Sequence, residues 1–122
     1  MRKIIIFCTF SLLLCGCTSG PSEAQQYLDK SRNAMALRRY DVARDTIYAL
    51  RRRFPEAIAE RRQGILLLDS IELQAATDSL NALRTVPEGL SEQELQVHNE
   101  EFKRLDVKVK FFQRKLSEDI RK

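Results

Sequence analysis

The sequence contains no tryptophan, one histidine, four glycines and three prolines, and its three cysteines all fall within the first seventeen residues. Each shortage closes off a class of chemistry. A catalytic or metal-binding histidine needs partner ligands, and His98 is the only histidine; with no free cysteine expected in the mature chain, as argued below, the common zinc sets are out. His98 reads as a solvated or packed side chain. No Gly-x-Ser-x-Gly elbow presents a serine nucleophile, and no glycine-rich loop cradles a phosphate. The chain is therefore expected not to be an enzyme and to hold no metal and no diffusible cofactor. Charge of one sign is also scarce: 21 Lys and Arg stand against 17 Asp and Glu, and two of the positives, Arg2 and Lys3, lie at the extreme N-terminus. Acids and bases alternate along the body, as on a solvated helical surface. Nucleic-acid binding calls for a clustered basic face with interleaved aromatics, so no nucleic-acid partner is expected.

What is abundant is leucine, alanine, arginine, glutamate and glutamine, a composition that favours helix. The first segment follows another logic. Arg2 and Lys3 precede an apolar run over 4–14, the length of a signal-peptide core and too short for a spanning helix, which needs about twenty apolar residues. The run ends in Leu14-Cys15-Gly16-Cys17, then turns at once to small polar residues. This resembles the lipobox of bacterial lipoproteins: an aliphatic residue, a small residue, Gly or Ala, then the modified cysteine. The resemblance implies cleavage between Gly16 and Cys17 and lipidation of Cys17 on its sulfur and new amino group, so that the covalent lipid is the only attached group. Cys8 and Cys15 would leave with the signal, and no disulfide could form in the mature chain. Thr18 stands where an inner-membrane retention signal would place Asp, and no acidic run follows. Both features imply the periplasmic face of the outer membrane. The expected layout is a signal peptide over 1–16, a lipidated tether over 17–22, helical repeats over 23–88 and a long helix over 91–121.

The body contains an internal match. "YDVARDTIYALR" at 40–51 aligns without gaps with "LQAATDSLNALR" at 73–84, an offset of 33 residues. Ala43 pairs with Ala76, Asp45 with Asp78, Ala49 with Ala82, Leu50 with Leu83 and Arg51 with Arg84. The spacing and residues resemble tetratricopeptide repeats. That resemblance places Tyr27 at a large first-helix position, Ser31 and Gly64 where paired helices cross closely, and Tyr40 and Ala43 at the start of a second helix. Ile47 and Leu80 take large apolar sites, Ala76 a small one, and Pro55 ends the first unit. Lys30, Leu50, Glu60 and Gln63 depart from the family's preferences.

Periodicity alone predicts helices over 23–37, 41–53, from Pro55 to residue 72, and over 74–84. Their expected buried residues are Tyr27, Leu28, Ala34 and Leu37, then Val42, Ala43, Ile47 and Leu50, then Ile58, Ile65, Leu66 and Leu68. Ser22 with Gln25 and Ser91 with Glu94 have the spacing of capping boxes. The Arg51-Arg52-Arg53 run closes a helix, where positive charge complements the dipole; contact with acidic lipid or a partner is the alternative. After Pro87 and Gly89, a helix to about residue 120 carries Leu95, Phe102, Leu105, Val109, Phe112 and Leu116 on one stripe together with His98. It is expected to cap the repeats, since open repeat ends need covering, and to leave Phe111 and Phe112 available as a partner surface.

The expected fold is all-α: two tetratricopeptide-like helix hairpins plus a long C-terminal capping helix. A generic antiparallel bundle is the alternative. The expected function is that of a membrane-anchored helical adaptor that binds an envelope protein or peptide, as a monomer. The alternative is a structural envelope lipoprotein that oligomerises through its last helix.

Overall fold

A computed structural model describes residues 22–121 of the chain. Gly16 and Cys17, and with them the signal and most of the tether, lie outside the described residues. The body is all-α, with four helices in the order α1 (Glu23–Ala36), α2 (Tyr40–Arg53), α3 (Ile58–Ala82) and α4 (Glu92–Asp119).

Helix starts and stops follow local chemistry. Ser22 caps α1, its hydroxyl accepting the Gln25 N–H at 3.1 Å. The chain leaves α1 through a tight turn in which Arg39 N–H bonds back to Ala34 and Arg38 takes the left-handed conformation, φ 57°. Three arginines occupy the last turn of α2, where the helix dipole welcomes them. Pro55 sits in the turn between α2 and α3 and not in the first turn of a helix, because α3 begins only at Ile58. The nine-residue loop before α4 turns at Gly89, φ 81°. A complete capping box opens α4: Ser91 Oγ accepts Glu94 N–H at 3.3 Å, and the Glu94 carboxylate accepts Ser91 N–H at 2.8 Å.

The third and fourth helices expected from the sequence are one. α3 runs unbroken for 25 residues through the boundary near Leu73. The repeat alignment supplies the reason. Arg38, the left-handed residue of the first turn, aligns with Ile71. A β-branched side chain in that conformation is a steric outlier, and Ile71 is fully buried, so the backbone stays helical. The residues that pack are nevertheless equivalent: Ala43 and Ala76, and Ile47 and Leu80, are all buried.

α3 is consequently the spine of the molecule. Its N-terminal half packs on the α1–α2 hairpin, in a cluster built from Leu28, Ala34, Ala43, Ile47, Leu50, Leu67 and Ile71. Its C-terminal half packs on α4 through Ala76, Leu80, Leu105 and Val109, with Leu73, Leu83 and Phe102 at the edge. α4 runs antiparallel to α3, as the pairs Lys108–Glu72 and Lys115–Asp69 require. At 28 residues it is only slightly longer than α3, but the register set by those pairs offsets the two helices, so part of α4 overhangs. The overhang falls at its start, where Leu95 is 39% and Val97 62% exposed.

Four residues expected in the core are not there: Leu37, Val42, Ile58 and Ile65 are all exposed. Leu37 lies in the turn after α1. Val42 is one position out of phase with the Ala43, Ile47, Leu50 stripe. In the run Ile65-Leu66-Leu67-Leu68 every residue is apolar, so hydropathy does not mark the buried phase. Gly64, Leu67 and Ile71 mark it.

Candidate interaction surfaces

The small residues singled out for close packing meet where the helices cross. Ser31 is fully buried, and its hydroxyl donates to the Ala43 carbonyl at 2.8 Å. This bond ties α1 to α2 without leaving a buried polar group unpaired. Gly64 presents its backbone to the same layer: a Cβ there would lie 3.2 Å from Ile47 Cγ2 and 3.8 Å from Leu28 Cδ2. Tyr27 is half-buried, edge-on to Phe54 with ring centroids 5.5 Å apart, and its hydroxyl accepts a hydrogen bond from Arg53. Tyr40 donates to Asp78 on α3. Burial, together with that carboxylate, pushes the Tyr40 phenol above its ordinary pKa. Ala76 and Leu80 face α4, and Pro55 is exposed.

Two carboxylates organise the polar side of α3. Glu72 accepts from Arg44 on α2 and from Lys108 on α4, the latter at 2.7 Å, so one side chain links three helices. Burial pushes its carboxyl up, but the bonds and charges of Arg44 and Lys108 outweigh that and hold it below the usual range. The same bond raises Arg44. Asp69 is buried and pairs with Lys115 at 2.5 Å. The alternation of acids and bases in the sequence points only to local pairs at helical spacing, and the structure adds such pairs at Asp29–Arg32 and Asp106–Lys110; neither bridge between helices was expected. The available signal was the placement of Asp69 and Glu72 inside an otherwise apolar stretch, where an ionised group needs a partner from elsewhere.

Three exposed features remain. On α4, Val107 is 66% and Phe111 56% exposed, one helical turn apart. Phe112 is half-buried beneath and braces Phe111 edge-on, with centroids 5.1 Å apart. Of the two residues expected to be available to a partner, Phe111 is thus exposed and Phe112 only half so, and Val107 extends the exposed apolar strip. A cleft of about 570 Å³ at the start of α1 is lined by Ser22, Ala24, Arg53, Phe54, Ala57 and Glu60, among others. Beside it, a hollow of about 240 Å³ lies between Arg51 on α2 and Ile58, Arg61, Arg62 and Ile65 on α3. His98 is half-buried, and neither ring nitrogen has a hydrogen-bond partner among the described residues.

Among the described residues there is no grouping of three or more His, Cys, Asp and Glu that could hold a metal ion. No helix among them is long and apolar enough to cross a membrane. Comparison with protein families, with curated proteins and with solved structures finds no match to this chain.

Proposed function

We propose that this chain is a bacterial lipoprotein, anchored through Cys17 to the periplasmic face of the outer membrane, whose helical body is an adaptor for another envelope protein. The anchor rests on the sequence Leu14-Cys15-Gly16-Cys17 after a short apolar run. Two or three acyl chains, as bacterial lipoproteins carry, would make desorption negligible, since each buried methylene contributes about 0.8 kcal/mol. The observation that carries the adaptor reading is the outer face of α4. Val107 and Phe111 are apolar and exposed on a helix whose other side is already buried against α3. Aromatic anchors of this kind dominate the energetics of protein interfaces.

A photo-crosslinking amino acid at Phe111 in the intact, membrane-bound protein tests this. An adduct with a different envelope protein supports the adaptor. An adduct of twice the chain's mass supports the alternative, an envelope lipoprotein that oligomerises through α4. Absence of any adduct refutes both.

A further inference from the structure

The fold gathers four arginines and two isoleucines at one end of the body, although they come from two helices. Arg51 and Arg52 lie in the last turn of α2, and Ile58, Arg61, Arg62 and Ile65 lie in the first turns of α3. Arg51, Ile58, Arg61, Arg62 and Ile65 line a single hollow. Ile58 is 57% and Ile65 46% exposed. Arg51, Arg52 and Arg62 make no ion pair among the described residues. Arg61 donates to the Pro55 carbonyl at 2.6 Å, while its shielded Nε has no acceptor among them. Helix electrostatics account for Arg51 and Arg52 at a C-terminus but not for Arg61 and Arg62, which stand near an N-terminus where positive charge gains nothing.

Acidic groups are nearby but mostly set apart. Glu23, Glu56 and Glu60 line the adjoining cleft on the Ser22 side. Asp119 shares a neighbouring hollow with Arg62, Ile65 and Leu66. The cations of the patch are all arginines, whereas α4 carries Lys103, Lys108, Lys110 and Lys115. Guanidinium forks match phosphate oxygens bidentately in a way that ammonium groups do not.

We infer that this patch seats the body on a bilayer surface containing anionic phospholipid, with guanidiniums on the phosphates and Ile58 and Ile65 at the acyl boundary. The inference rests on the lipid anchor proposed above, which fixes the distance. Ser22 Oγ lies 3.1 Å from Glu60, the residue preceding Arg61. Five extended residues from Cys17 reach at most about 17 Å. An anchored Cys17 therefore holds this end of the body next to the headgroups, so lipid is the occupant the geometry favours over an acidic protein.

The test uses the intact chain reconstituted into vesicles of phosphatidylcholine alone or with one part in three (~33%) phosphatidylglycerol, enough to give a strongly negative surface. Arginine modification by phenylglyoxal is read residue by residue by mass spectrometry. Modification of Arg51, Arg52, Arg61 and Arg62 is expected to slow about fivefold in the anionic vesicles, the shift that corresponds to roughly 1 kcal/mol per basic residue at such a surface. Arg104 and Arg114 on α4 should change little, and salt at about 1 M should abolish the difference. Equal rates in the two vesicle types, or equal slowing at all six arginines, overturns the inference. Protection that appears only in native membranes and never in pure vesicles assigns the patch to an acidic protein and also overturns it. Flotation with neutral vesicles reads the anchor independently, so the anchor and the patch fail separately.

Discussion

Single residues set the close approach of α1, α2 and α3. At Gly64 there is no room for a branched side chain, because Ile47 already stands 3.2 Å from the position of a Cβ. Gly64→Val is expected to destabilise the body by about 1–3 kcal/mol through overpacking, read from chemical denaturation; an unchanged midpoint would show that α3 can move away from α2. Glu72 acts at the same scale through charge. A carboxyl whose folded-state pKa is depressed contributes stability above its unfolded value, near 4.5, and loses it as pH falls through the folded value. Glu72→Gln is therefore expected to cost about 1–2 kcal/mol at neutral pH, intermediate between exposed and buried pairs. The difference from wild type should shrink as pH falls below about 4.5 and vanish once the pH has passed through the folded value. A penalty that does not change with pH would mean that the shape of Glu72, and not its charge, links the three helices.

At the scale of elements, one turn decides the topology. Arg38 bears the left-handed conformation that lets α1 end and α2 fold back. Arg38→Gly is expected to raise stability by about 1 kcal/mol, since glycine takes that conformation without steric cost, while Arg38→Val should lower it by a similar amount or more. Thermal melts of the two variants should move in opposite directions; a common direction would contradict the role of the turn. The same site shows where sequence reading stops. The caps at Ser22 and Ser91, the break at Pro87 and Gly89, and the buried stripe through Ala43, Ile47 and Leu50 were legible because each is a local signal in neighbouring residues. The fusion of two expected helices into α3 was not, because the repeat match drew attention to Ala76 and Leu80 and not to Ile71 in the place of Arg38. The phase of α3 was hidden by four consecutive apolar residues. The Arg51–Arg62 patch was hidden because its halves belong to different helices, and only the α2–α3 turn brings them together.

For the whole molecule, the two hydrophobic clusters share α3 but draw on different partners. Leu105 is 8% exposed in the second cluster. Leu105→Asp is expected to cost several kcal/mol, about the 3–5 of a severe core lesion, because it buries an unpaired carboxylate. Phe111→Asp should change stability by no more than about 0.5 kcal/mol, as for an exposed site, while abolishing the crosslink formed from a photo-reactive residue placed at Val107. Sedimentation distinguishes this from a coiled-coil seam, in which Leu105→Asp would convert a dimer into a folded monomer. In the function proposed above, the address of the body depends on one residue, Cys17. Metabolic labelling with a fatty acid, comparing wild type with Cys17→Ala, tests that address most directly. The expected result is label on the wild type, whose mature chain begins at Cys17, and an unlabelled, uncleaved precursor from the variant. Equal labelling of the two, or a wild-type chain without acyl groups, would contradict it.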